Sequence, residues 1–168
     1  VLAENKNEGS EALSMIFAAS NTAPNKIEFD IDRVNQKLIH KFDLGDGRSQ
    51  KIYITADSKI KTERGETMVR ITSPCLDLSE IKKPLTENLI FDFLKKKYKK
   101  DFGSLCFNLL LEQGQSHFIC RYFWDFKNKY LCVIRDYLLS ATRMELDLME
   151  PVARIADNTE RRFNIIDK

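Results

Sequence analysis

A period of two runs through residues 37–73 and sets what the chain can build. Leu38, His40, Phe42 and Leu44 fall on one side of an extended backbone, and Lys37, Ile39, Lys41 and Asp43 on the other. Gly45-Asp46-Gly47 follows as a turn. Residues 51–56 (KIYITA) are rich in β-branched and aromatic side chains, which fit a pleated surface. The polar stretch 57–66 reads as a long hairpin loop ending near Gly65. Residues 67–73 (TMVRITS) make a third strand, which Pro74 is expected to close. Three consecutive strands on short connections form an antiparallel meander.

Elsewhere the period lengthens. Leu85, Leu89, Ile90, Phe93, Leu94 and Tyr98 share one helical face, with Asp92, Lys95, Lys96, Lys99 and Lys100 opposite. Thr86 is the expected N-cap, and the spacing predicts a helix over 87–100, ended by Gly103. Ser10 is placed to cap a short helix over 11–19, with Leu13, Ile16 and Phe17 at helical spacing. Residues 105–111 alternate between two apolar faces, 112–116 make a turn, and 117–126 (HFICRYFWDF) a second strand. Leu131, Ile134, Leu138, Ala141, Met144 and Leu148 predict a long helix over 129–149. Pro151 is expected to kink or end it, and Val152, Ile155 and Ala156 restart it to about residue 162. Ile27, Phe29 and Ile31 alternate, and residues 20–36 stay open between helix, strand and coil.

The predicted order is therefore helix, three strands, helix, two strands, helix. That is an α+β fold: an antiparallel sheet of about five strands with helices packed mainly on one face. At 168 residues one domain is expected, 10–168, behind a mobile N-terminus of residues 1–9. Such a chain buries about 70% of its unfolded surface without help from metal or disulfide.

Composition narrows the function classes. With 27 basic and 25 acidic side chains the net charge is +2, which excludes a strongly polyionic partner for the molecule as a whole. Cys75, Cys106, Cys120 and Cys132 lack metal-knuckle spacing. Cys106, Cys120 and Cys132 lie in apolar runs and are expected to be buried thiols, which points to a reducing compartment. The charge-free stretch 12–25 is too short and polar to span a bilayer, and no basic segment precedes it. A cytoplasmic protein without a membrane span is the expectation.

The residues offer no assembled chemistry. His40 and His117 read as structural or surface groups, and no Gly-x-Ser-x-Gly elbow is present. No metal-binding histidine pair or glycine-rich phosphate loop occurs. Asp57 and Glu66 with Lys59 or Lys61 loosely suggest a metal-dependent nuclease cluster. However, the Glu-x-Lys it needs is missing, since Glu66-Thr67-Met68 stands there instead. No catalytic, cofactor or metal residue is therefore expected, and the chain reads as a non-enzyme.

Two features suit binding. Segment 81–100 holds seven lysines against Glu87 and Asp92. The stronger reading is a solvated helix face; the alternative is a nucleic-acid or anionic-surface site built from Lys95, Lys96, Lys99 and Lys100. The aromatic strand 117–126 leaves Ile119, Arg121 and Phe123 as candidate protein contacts if its second face is wet. The expected partner is another polypeptide, with a homodimer favoured.

Pro84-Leu85 opening the middle helix, Leu89-Ile90 and Phe93-Leu94 within it, the strand pair SLCFNLLLEQGQSHFICRYFWDF and the following YLCVIRDYLLSATRMELDLMEPV carry a resemblance. Over residues 51–156 the chain resembles the type III secretion chaperone-like fold, and within it the YbjN-like proteins and their uncharacterised cyanobacterial relatives. Residues 20–44 depart from that pattern, being longer and more polar than the family's first linker. The resemblance implies a small, dimeric, non-catalytic protein that binds other polypeptides, with no catalytic residues to carry over.

Overall fold

The computed structural model describes residues 13–18, 27–61, 67–98, 120–138 and 148–166. The elements are α1 (13–18), β1 (Asp30–Asp32), β2 (Lys37–Gly45), β3 (Arg48–Lys61), β4 (Thr67–Asp77), α2 (Glu87–Tyr98), β5 (Arg121–Asp125), β6 (Tyr130–Leu138) and α3 (Met149–Ile166). The strands form one antiparallel sheet in the order β1-β2-β3-β4-β6-β5. The α+β class and the meander are as the periodicity requires; among the described residues the sheet has six strands, β1 and β6 being the two not expected.

Register turns the period of two into a core. Leu38 pairs with Ile54 and Ile54 with Ile71. Val69 pairs with Tyr137, and Val133 with both Ser73 and Tyr122. These rows share one face, and α3 lies across it. Its Met149, Val152, Ala153, Ala156 and Phe163 are buried at helical spacing. Ala153 and Ala156 let the helix approach the sheet closely. Arg48 Nη1 ties the β2–β3 turn to Asp157 at 2.8 Å, and Tyr122 on β5 shares a hydrogen bond with Thr159 at 2.8 Å. Leu13 and Ile16 of α1 and Ile90 and Leu94 of α2 join the same cluster.

Local signals hold where they are strong. Thr86 caps α2, its Oγ1 accepting from the Leu89 N–H at 3.3 Å. Gly45, Asp46 and Gly47 all have positive φ, at 87°, 55° and 73°, and their twist matches that of the flanking strands. Only the Asp46 position carries a side chain at that cost.

The expected helix over 129–149 is not there: residues 130–138 are β6, and α3 begins at Met149. β6 lies between β4 and β5, and Leu131, Cys132, Val133 and Ile134 are all buried. A central strand whose side chains are buried on both sides shows a continuous apolar run, which also satisfies helical spacing. The hairpin partner of β5 is therefore β6, joined by a turn at 126–129; the strand expected at 105–111 lies outside the described residues.

Both prolines behave differently from expectation. Pro74 does not close its strand, because it sits at the register shift between Pro74 and Leu76, where a bulge dispenses with a ladder bond. Pro151 neither kinks nor ends a helix. It occupies the first turn of α3, where backbone N–H groups have no intrahelical acceptor to lose.

Candidate functional site

Alternation that buries one face sends the neighbouring residues to the other. On that second face β2 places Lys37, β3 places Lys51, Tyr53 and Thr55, and β4 places Arg70, Thr72 and Pro74. β6 adds Tyr130 and Cys132, and β5 adds Arg121, Phe123 and Asp125. The buried apolar residues of all three helices cluster with the first face, and no residue of this second face belongs to that cluster. A trough of about 620 Å³ crosses it.

The trough runs diagonally between two turns built alike. In Asp32-Arg33-Val34-Asn35, Asp32 Oδ1 accepts the Asn35 N–H at 3.0 Å and Oδ2 its side-chain amide at 2.9 Å. In Asp125-Phe126-Lys127-Asn128 the same two bonds recur at 3.0 and 2.9 Å. Each turn is completed by a left-handed residue, Gln36 at φ 53° and Lys129 at φ 60°. Lys129 Nζ then reaches the Ile81 and Lys83 carbonyls, tying this turn to the approach to α2.

The floor between the turns pairs cations with rings. Lys37 Nζ stands 4.3 Å from the Tyr53 ring centroid, and Lys51 Nζ 5.8 Å from the same ring. The Arg70 guanidinium lies 5.4 Å from the Phe123 ring. Arg70 faces Asp136 across the β4–β6 pair and grips it in a fork, Nε at 2.7 Å and Nη2 at 3.1 Å. Arg121 adds a third bond to Asp136 at 3.1 Å. Partial burial pushes the Asp136 carboxyl up, but the hydrogen bonds and charge of Arg70, then of Arg121, outweigh it. The net position is below the usual carboxylate range. Asp136 thus balances the arginines, whereas no carboxylate among the described residues lies within ion-pair distance of Lys37, Lys51 or Lys127.

Of the residues singled out in the sequence, Arg121 and Phe123 stand together on this face, both exposed, and Ile119 lies outside the described residues. Lys95 and Lys96 are exposed on α2, away from the trough, and Lys99 and Lys100 lie outside the described residues. Lys97 bonds Glu80 at 3.1 Å and lies over the Phe93 ring. His40 is structural: its Nδ1 meets the Glu28 carbonyl at 2.9 Å, and its ring packs edge-on with Phe29 and Phe42. Cys75, Cys120 and Cys132 are buried thiols, and Cys106 lies outside the described residues. Asp57, Lys59 and Lys61 belong to β3, which continues through the first half of the stretch expected to be a hairpin loop, whereas Glu66 and His117 lie outside the described residues. Among the described residues no group of three or more His, Cys, Asp or Glu side chains is gathered to hold a metal ion, and no helix is long and apolar enough to cross a membrane.

Sequence reasoning missed the trough. Its signal was present in the polar positions of each strand, Lys37, Lys51-x-Tyr53 and Arg70-x-Thr72, but only pairing register shows that they meet. No protein-family model, curated protein or solved structure matches the chain.

Proposed function

We propose that this chain is a non-catalytic binding module that holds another polypeptide against the second face of its sheet, in the manner of a chaperone-like protein. The observation that carries the reading is the sorting of the two faces. One is sealed by α3 and the core, and the other presents Phe123, Arg121 and a trough with ammonium groups seated on rings. Half-exposed aromatic side chains beside arginine are the composition that anchors protein interfaces. Cys75, Cys120 and the packed His40 serve the interior, and Cys132 is buried beneath the second face, which supports contact over transformation as the task of that face.

A photoreactive phenylalanine analogue at position 123 tests this in extracts of the source cell, with the same analogue at Arg154, exposed on α3, as control. Position 123 is expected to crosslink to a polypeptide and position 154 not. An adduct of twice the chain's mass identifies a second copy, as the resemblance implies. Equal crosslinking from both positions, or none from 123, overturns the reading.

A further inference from the structure

Resting on that reading, we infer that the trough takes an acidic segment of the partner polypeptide, its carboxylates received by Lys37, Lys51 and Lys127. The first argument is charge. The chain is nearly neutral at +2, yet three lysines with no carboxylate within ion-pair distance among the described residues converge on one concavity, with Asp125 the acid of its lining and Asp32 facing Lys37 across the β1–β2 pair. Asp125 already accepts both bonds of its own turn. The positive charge is therefore local to the trough and calls for a local anionic partner.

The second argument is how the charges are held. Lys37 and Lys51 share the Tyr53 ring, which fixes flexible ammonium groups above a partly apolar floor. Lysines placed in this way lose less freedom on meeting a carboxylate than lysines in open solvent. The same contact engages the Tyr53 ring with cations, so the ring is not offered to a nucleobase. Carboxylates fit this surface better than stacked bases.

The third argument is length. From β2 to β5 there are four steps between paired strands. At about 4.8 Å each that is about 19 Å across the strands, and the row of Lys37 meets β6 at Asp136, six residues from Tyr130 beside the β5–β6 turn, or about 20 Å along them; the diagonal of about 28 Å takes about eight or nine residues of extended chain. A short acidic segment reaches from Lys37 at one turn to Lys127 at the other.

Fluorescence anisotropy with labelled decaglutamate tests the inference, using decaglutamine and a single-stranded oligothymidylate as the other probes. Decaglutamate is expected to bind, decaglutamine not, and the affinity to fall with added salt. Exposed ion pairs are individually modest, and losing three together amounts to roughly a tenfold weakening. That is the loss expected for the combined variant Lys37→Gln, Lys51→Gln, Lys127→Gln, with an unchanged melting temperature and circular dichroism spectrum. The pair Lys95→Gln, Lys96→Gln on α2 is expected to bind as the parent does. Tighter binding of oligothymidylate than of decaglutamate, lost in the trough variant, overturns the acidic-peptide occupant. Sensitivity to the α2 pair instead of the trough variant overturns the location. If no probe binds while the position 123 crosslink persists, the inference falls and the binding reading stands; if the crosslink is also lost, both fall.

Discussion

Asp136 holds two guanidinium groups, and that makes it a pH sensor for the fold. Its folded carboxyl lies below the ordinary value of about 3.9. A depressed acid contributes stability that is fully present above the unfolded value and is lost as pH falls through the folded one. Thermal melts from pH 6 to strong acid should therefore show a loss below about pH 4 that is smaller in Asp136→Asn. Parallel curves for the two proteins would contradict the assignment. The thiols make a second residue-scale prediction. Burial, then the neighbouring Cys132 and Glu160, pushes Cys75 well above the usual thiol value. Burial, reinforced by Asp125, takes Cys132 up to about 12, and burial also raises Cys120. Since the thiolate is the reactive form, alkylation at pH 8 should spare positions 75, 120 and 132 in native protein and reach them on unfolding, as read by peptide mass mapping. The burial of Cys120 and Cys132 was legible in the sequence because an apolar run surrounds each, whereas that of Cys75 was not. The two Asp-x-x-Asn turns were not recognised, because a left-handed Gln36 or Lys129 lacks the glycine that usually marks one.

At the scale of elements, strong local signals sufficed and ambiguous ones did not. Thr86 and the stripe from Leu85 to Leu94 specify α2 without outside help. Val133 and Ile134, by contrast, fit a buried strand and a buried helix equally well until β4 and β5 are placed on either side. Pro151 gives the clearest test of the corrected boundary. A proline interrupting a helix costs about 3 kcal/mol, so its removal would stabilise by that amount. In the first turn of α3 that penalty is absent, and Pro151→Ala should instead destabilise by about 0.4–1 kcal/mol through added freedom of the unfolded chain. Chemical denaturation measures the sign directly. Phe163, fully buried near the other end of α3, should cost about 3–5 kcal/mol when cut to alanine.

For the whole molecule, α1, α2, α3 and one face of the sheet share a single buried cluster. Cooperative loss of that cluster should give coincident unfolding curves by tryptophan fluorescence, with Trp124 as the one reporter, and by far-UV circular dichroism. Separated transitions would show that a helix folds apart from the sheet. The trough belongs to this scale as well. Lys37 and Lys127 are far apart in the chain and meet on one face only because β3, β4 and β6 pair in a set register between them. By itself the sequence determined the α+β class, the β2–β3–β4 meander, the cap and face of α2 and the burial of Cys120 and Cys132, since each depends on side chains within one or two turns of chain. Tertiary structure alone decided that residues 130–138 are a strand and that scattered lysines share one concavity. Both depend on which strands become neighbours, and strand pairing is a long-range choice that no local period encodes.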